Sequence, residues 1–259
     1  PSFMYCAFNA PHDPRQSPQE YVEQYSIESI PLPGNFLPEH PFNKEMGTGR
    51  GMRDEKLAPF PRTSYAVKKH IQEYYGIISH LDEQIGRILK ALKESGMDKN
   101  TLIVFASDNG LAVGQHGFLG KQNLYDHSAK VPLIFSGSGI PKGQVRDQLV
   151  YMQDLVPTIY ESIGLNKNYQ VDFIPLNNII RKKENGRSHL YGAYMQTQRM
   201  IRNKRYKLYL IPEAKQVYLF DLLKDPLEKN NLYGTKKYRK VAEKMYQLFL
   251  REAAIQNDP

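Results

Sequence analysis

The 259-residue chain has one cysteine, no tryptophan, and no run of apolar residues long enough to cross a membrane. The single cysteine, Cys6, excludes an internal disulfide and any multi-cysteine zinc or iron–sulfur centre. It leaves the compartment open, because exported proteins can do without disulfides. No internal repeat or low-complexity tract is visible, and no G-x-x-x-x-G-K-[ST] loop, so phosphate binding of the P-loop kind is excluded. The first residues, Pro1–Phe8, lack an initiator Met and a charged leader. They read as a buried strand that begins at once, with Cys6 as a small core residue, which is the pattern expected of a piece of a longer protein.

What is present is ordinary for a globular protein, with 41% hydrophobic and 24% charged residues. The net charge of +8 is unevenly spread. Residues 181–259 hold 18 Lys and Arg against 8 Asp and Glu, while residues 1–180 hold 17 against 19. The positive excess therefore belongs to the last third, where it suits an anionic polymer, a complementary acidic surface or plain solvation. No nucleic-acid module accompanies it, and neither a nucleic-acid nor a membrane partner is expected.

Residues 15–63 are rich in Pro, Gly and charge and are expected to form a long lid or loop with one short helix near 18–25. Val67, Ile71, Tyr74, Ile78, Leu81, Ile85, Ile88 and Leu92 then recur at alternating spacings of four and three, predicting a long amphipathic helix that Gly96 ends. Thr101–Phe105 reads as a central strand, 131–135 as another, and 147–163 as a helix. Helix, short turn and strand in this order predict an α/β fold. A polar linker is expected over 166–188. Beyond it, 189–259 reads as a smaller α+β subdomain, with strands near 200–202, 206–211 and 217–220 and a terminal helix at 236–253.

Chemistry can sit at three places. Asp108–Asn109 follow the strand 101–105, where open α/β sheets bind ligands, and offer hard oxygens to Ca²⁺ or Mg²⁺. The same residues can equally form an Asx turn with Gly110 left-handed. Lys121 lies in a loop punctuated by Gly114, Gly117 and Gly120, suited to closing over an anion, unless it is a surface lysine. His12, between Pro11 and Pro14, is held stiffly at the end of the first segment and can bind an anion or donate a proton, or simply pack in a turn. His116 in the glycine loop and Arg199 in the tail are weaker candidates for contacting substrate.

Together these pieces resemble the sulfatases of the alkaline-phosphatase superfamily, most of all their bacterial glycan and iduronate-sulfatase-like members. The resemblance rests on Phe8-Asn-Ala-Pro-His-Asp-Pro14, on Tyr74–Leu89 with its Ser-His-Leu-Asp-Glu-Gln-Ile-Gly-Arg core, and on Ser107-Asp-Asn-Gly110. Gly120-Lys-Gln-Asn-Leu-Tyr-Asp126 with Val131-Pro132, and Phe220–Leu232, complete it, in order, along almost the whole chain. It implies an alkaline-phosphatase-like sandwich over 1–165, here partial with its N-terminal part missing, and a sulfuric ester hydrolase acting on a sulfated carbohydrate or other sulfate ester. It further implies Asp108 and Asn109 as ligands of Ca²⁺ rather than Mg²⁺, and Lys121 and His12 as the catalytic residues that contact the sulfate and protonate the leaving oxygen.

The nucleophile in such enzymes is a formylglycine made from Cys or Ser in a Cys/Ser-x-Pro/Ala-x-Arg motif. This sequence lacks that motif, and Cys6 is followed by Ala-Phe-Asn-Ala. The paired N-terminal acidic ligands are absent too. The chain alone is therefore expected to be inactive, partnered by the missing N-terminal part of its own fold, with a periplasmic or secreted parent. A phosphoester or phosphonate hydrolase of the same superfamily and a non-catalytic anionic-glycan-binding module are the competing readings.

Overall fold

The computed structural model describes residues 2–165 and 172–258, so residues 166–171 of the expected linker lie outside the described residues. The proline-rich stretch holds one short helix, α1 (Gln19–Val22). Apart from a 3-10 turn at Asp54–Leu57 it is irregular but well packed, burying Ile30, His40, Met46, Asp54, Glu55 and Arg62.

The long helix forms as its periodicity predicts. α2 spans Ser64–Glu94, begins where Thr63 accepts a hydrogen bond from the Ala66 amide (3.2 Å), and is followed by Gly96 at φ 72°. Its first turns bury Val67 and Ile71 against Ile30 and Val113. Further along, the stripe is uncovered, and Ile78 and Ile88 are about two-fifths exposed.

β1 (Leu102–Ala106) and β2 (Leu133–Gly137) pair antiparallel as a two-stranded ladder, with α3 (Asp126–Ala129) in the segment between them. β1 was expected to be central, yet among the described residues it has a single ladder partner, and Phe105 stays 41% exposed. Residues 2–8 are a further correction. They form no strand, Phe3, Met4 and Tyr5 are exposed, and so is Cys6. An extended apolar run becomes a strand only when another strand takes up its backbone N–H and C=O groups, and no ladder reaches this segment among the described residues.

The helix expected from 147 starts later. The Tyr151 amide donates to the Asp154 carboxylate at 2.8 Å and the Asp154 amide to the Tyr151 carbonyl at 3.1 Å around a 3-10 turn, and α4 runs over Leu155–Ser162. α5 (Asn177–Ile180) follows, burying Ile179.

The tail is a four-stranded antiparallel meander in chain order. Its strands are β3 (Leu190–Tyr194), β4 (Gln198–Arg202), β5 (Tyr206–Ile211) and β6 (Gln216–Asp221), followed by α6 (Arg239–Ile255). Side chains alternate across a strand, and here both faces are covered. Ile201, Leu208 and Leu219 pack under Ala242 and Met245 of α6. Tyr209, Ile211 and Phe220 point the other way, onto Met46, Phe118 and Tyr125. The sheet is thus the floor on which the glycine loop and the proline-rich segment rest.

Candidate functional site

The loop after β1 is built around close backbone approaches. Gly110 is not left-handed; it lies where a Cβ would come within 2.1 Å of the His127 carbonyl oxygen. Its amide donates to Ser128 O at 2.8 Å, fixing the end of β1 beside α3. The loop then closes on itself, with Ala112 N to Gly120 O at 3.0 Å and Gly114 N to Phe118 O at 2.7 Å. Asn109 and Lys121 therefore flank the stem of one loop.

At the far side of that stem, Lys121 meets His12. Lys121 Nζ lies 2.8 Å from His12 Nε2, although 109 positions separate them in the chain. A third nitrogen arrives from Arg53, whose guanidinium is 3.2 Å from the same Nε2. The other ring nitrogen, Nδ1, is 2.8 Å from the Asp13 carbonyl oxygen, which can only accept, so Nδ1 carries the hydrogen. Nε2 then presents its lone pair to two donors. An anionic oxygen placed there would be met by the same lysine and guanidinium.

Asp54 organises this corner. It is 2% exposed and accepts from Gln122 Nε2 (2.8 Å) and Arg53 Nε (2.9 Å), with Lys121 Nζ 3.8 Å away. Burial pushes its carboxyl upward, but the Gln122 and Arg53 hydrogen bonds and the Lys121 charge outweigh that and hold it below its ordinary value. Tyr194 stands in the same field, its phenol raised by burial and by the Asp54 charge. Gln122 also receives the Lys121 amide on its own Oε1 (3.1 Å), and its carbonyl accepts from the buried Gln198 of β4 (3.0 Å).

Asp108 and Asn109 form a second group. Asp108 is exposed, and one of its carboxylate oxygens accepts from the Asn109 amide at 2.9 Å. The Asn109 side-chain nitrogen donates to Gly110 O at 2.9 Å. No hydrogen bond or ion pair joins this group to His12 and Lys121 among the described residues.

The two weaker candidates sit in the interior. His116 is 6% exposed and stacks on Tyr125 at 3.8 Å. Its Nε2 is 3.1 Å from Glu228 O and its Nδ1 is 3.3 Å from Asn35 Nδ2. Burial lowers it to about 4, partly opposed by the Glu228 hydrogen bond. Arg199 is 4% exposed and donates to Asp258 at 2.7 Å and to the Gln198 carbonyl at 2.8 Å. Sequence reasoning did not single out Arg53, Asp54 or Gln122. Arg53 and Asp54 left only a charged Arg-Asp-Glu run inside a proline-rich stretch, and Gln122 only its place beside Lys121 in Gly120–Asp126.

Residues 1–165 match the sulfatase family, and residues 114–254 match the family described as N-sulphoglucosamine sulphohydrolase, C-terminal. An arylsulfatase of Clostridium perfringens is 29% identical, covering 97% of this chain and 53% of the relative. A sulfatase of Formosa agariphila is 31% identical over 96% of this chain and 49% of its own length. The chain thus spans about half the length of these curated relatives. A solved structure described as a complex with its substrate D-glucosamine-2-N,6-O-disulfate superposes with a TM-score of 0.78 at 20% identity, over 96% of this chain and 65% of that one. That likeness gives the fold alone, an α/β architecture shared along nearly the whole of this chain. Through a family match that runs over residues 1–165, more than half of its length, this chain belongs to the sulfatase family.

Proposed function

We propose that this chain supplies the anion-holding and proton-donating side of a sulfate-ester hydrolase, and that the ester is carried by a glucosamine-type glycan. The observation that carries this reading is the convergence of Lys121 Nζ and the Arg53 guanidinium on His12 Nε2. A sulfate ester brings negative oxygens to such a point, and donors fixed in advance stabilise the charge that builds as the S–O bond breaks. Lys121 gives its proton to the leaving oxygen, His12 orients the ammonium through the Nε2 lone pair, and Arg53 holds a non-bridging oxygen. Asp54, its carboxyl held below the ordinary value by its neighbours, faces the Lys121 ammonium from 3.8 Å. The glycan assignment rests on the N-sulphoglucosamine sulphohydrolase match over residues 114–254. Polymers of that kind lie outside the cell, so the same reading carries an exported enzyme.

The sulfatase relatives imply a metal ion, and the donor chemistry of Asp108 and Asn109 fits calcium in part. Two side-chain oxygens are fewer than the six to eight that calcium takes, and no group of three or more His, Cys, Asp and Glu that could hold a metal occurs among the described residues. Calcium, when bound, supplies polarisation of the sulfate oxygens. Cys6 does not fit the nucleophile, since it lies exposed in an extended segment without the required motif.

The test is a titration of inorganic sulfate into the chain at constant ionic strength, following the His12 imidazole by NMR. A saturable shift is expected, with affinity falling at least roughly tenfold in Lys121→Met, and with glucosamine 6-sulfate binding more tightly than sulfate. An unshifted imidazole, or a response surviving Lys121→Met, overturns the reading. Turnover of 4-nitrophenyl sulfate by the chain alone with added Ca²⁺ would overturn its division of labour.

A further inference from the structure

Beside the anion corner sits a buried ion pair that the reading above does not use. Glu55, 2% exposed, follows Asp54 in the same 3-10 turn (Asp54–Leu57). Its carboxylate accepts from Arg62 at 2.7 Å, and also from two backbone amides of the glycine loop, Leu119 N at 3.1 Å and Gly120 N at 2.8 Å. Arg62 has a fully buried side chain that also donates to the Glu55 carbonyl at 2.7 Å, and its guanidinium centre lies 3.7 Å from the centroid of the Phe60 ring. The two amides gripped by Glu55 belong to the residues immediately before Lys121.

Gly120 makes this contact sterically possible. A Cβ there would lie 3.0 Å from Glu55 Oε1, 2.9 Å from Asp54 Cβ and 2.6 Å from Gln122 Oε1. The carboxylate can come this close to the loop backbone only because the position is bare. Two consecutive acids therefore hold one loop at two heights, Glu55 by the backbone before Lys121 and Asp54 by the side chain after it. Arg62 neutralises Glu55 locally, so the first grip adds no free negative charge beside the ammonium.

From this geometry we infer that Glu55, charge-balanced by Arg62, is the positioning residue that sets Lys121 against His12, and that Gly120 is the backbone partner it requires. The inference rests on the anion-site reading for its functional meaning, but not for its geometry. A buried carboxylate serving only as counter-charge to Arg62 would tolerate shortening, since Asp keeps the charge. One that sets the loop would not, because Asp cannot span from the 3-10 turn to both amides.

The experiment compares wild type, Glu55→Asp and the charge-neutral double variant Glu55→Gln with Arg62→Met, which avoids stranding a buried guanidinium. Three readouts are taken on the full chain. They are hydrogen exchange at the Leu119 and Gly120 amides, the rate of reductive methylation of Lys121 relative to the exposed Lys90, and the affinity for inorganic sulfate. Both variants should exchange at 119 and 120 roughly tenfold faster or more, with α6 unchanged, and should methylate Lys121 several-fold faster. Sulfate affinity should fall roughly tenfold. Exchange and methylation within twofold of wild type in either folded variant would overturn the inference. Absence of sulfate binding in wild type would instead remove the anion-site reading, while exchange and methylation would still decide the positioning role.

Discussion

In the four-stranded sheet Ile201, Leu208 and Leu219 are fully enclosed, whereas in the β1–β2 ladder the cross-strand partners Phe105 and Ile134 keep 41% and 56% exposure. The strand sequences do not explain the contrast, since Gln198–Arg202 and Tyr206–Ile211 are no more apolar than Leu102–Ala106 and Leu133–Gly137. The layers do. The sheet has α6 on one face and the glycine loop and proline-rich segment on the other, while the ladder's Phe105–Ile134 side has no covering layer among the described residues. Burial here is decided by what packs on a strand and not by what the strand is made of.

Lys207 gives the strongest test of how the two regions are tied. Its ammonium has no exposure and sits 2.5 Å from Asp126 of α3 and 2.6 Å from Glu228, so it joins β5 to the segment that leads into β2. Replacing it with Met strands the buried Glu228 carboxylate and leaves Asp126 to Arg202 alone, and should cost about 3–5 kcal/mol in urea unfolding. A loss below about 1 kcal/mol would mean that the two regions do not depend on this junction. Next in size, Leu208→Ala should lose about 2–5 kcal/mol, while Phe105→Ala should stay within about 0.5 kcal/mol. Equal losses would show that the ladder's exposed side is covered in solution.

The third prediction concerns the seam. His40 and His116 lie there beside Tyr125, lowered to about 3 and about 4, in both cases chiefly by burial. Each takes up a proton near 6.5 when unfolded but stays neutral when folded. The unfolded chain therefore binds more protons below that pH, and stability is lost as pH falls. Between pH 6.5 and 5, above the ordinary carboxylate range, denaturation midpoints should drop by an amount worth on the order of 2 kcal/mol per histidine. A flat profile over that window would show that these rings are hydrated in solution.

How much of this was legible in the sequence depends on how local each feature is. α2 could be read because its 3.6-residue period and Gly96 are local signals, and β5 because Tyr206–Ile211 is an uninterrupted strand-forming run. β3 escaped notice because Gly192 and Ala193 break the apolar pattern, and its identity comes from pairing with β4. Residues 2–8 failed for the opposite reason, having the composition of a strand without a ladder to join. In the site, His12 and Lys121 stood out by their settings among proline and glycine. Asp54 and Glu55 did not, because charged residues in a proline-rich stretch read as solvated. Their partners, Gln122, Leu119 and Gly120, come from 64 to 68 positions away. His116 and Arg199 were chosen for their chemistry, and only the tertiary structure shows both enclosed by protein partners.

Gln198 leads to a different kind of consequence. Its amide nitrogen has two hydrogens, and both are committed, one to Met46 O at 2.7 Å and the other to Gln122 O at 3.0 Å, while its oxygen receives the Tyr209 hydroxyl. Tyr209 is wholly enclosed in the sheet, yet two hydrogen bonds separate it from the residue following Lys121. The small sheet is thus the gauge against which the loop bearing Lys121 is set, and a change in its interior reaches that loop through two hydrogen bonds.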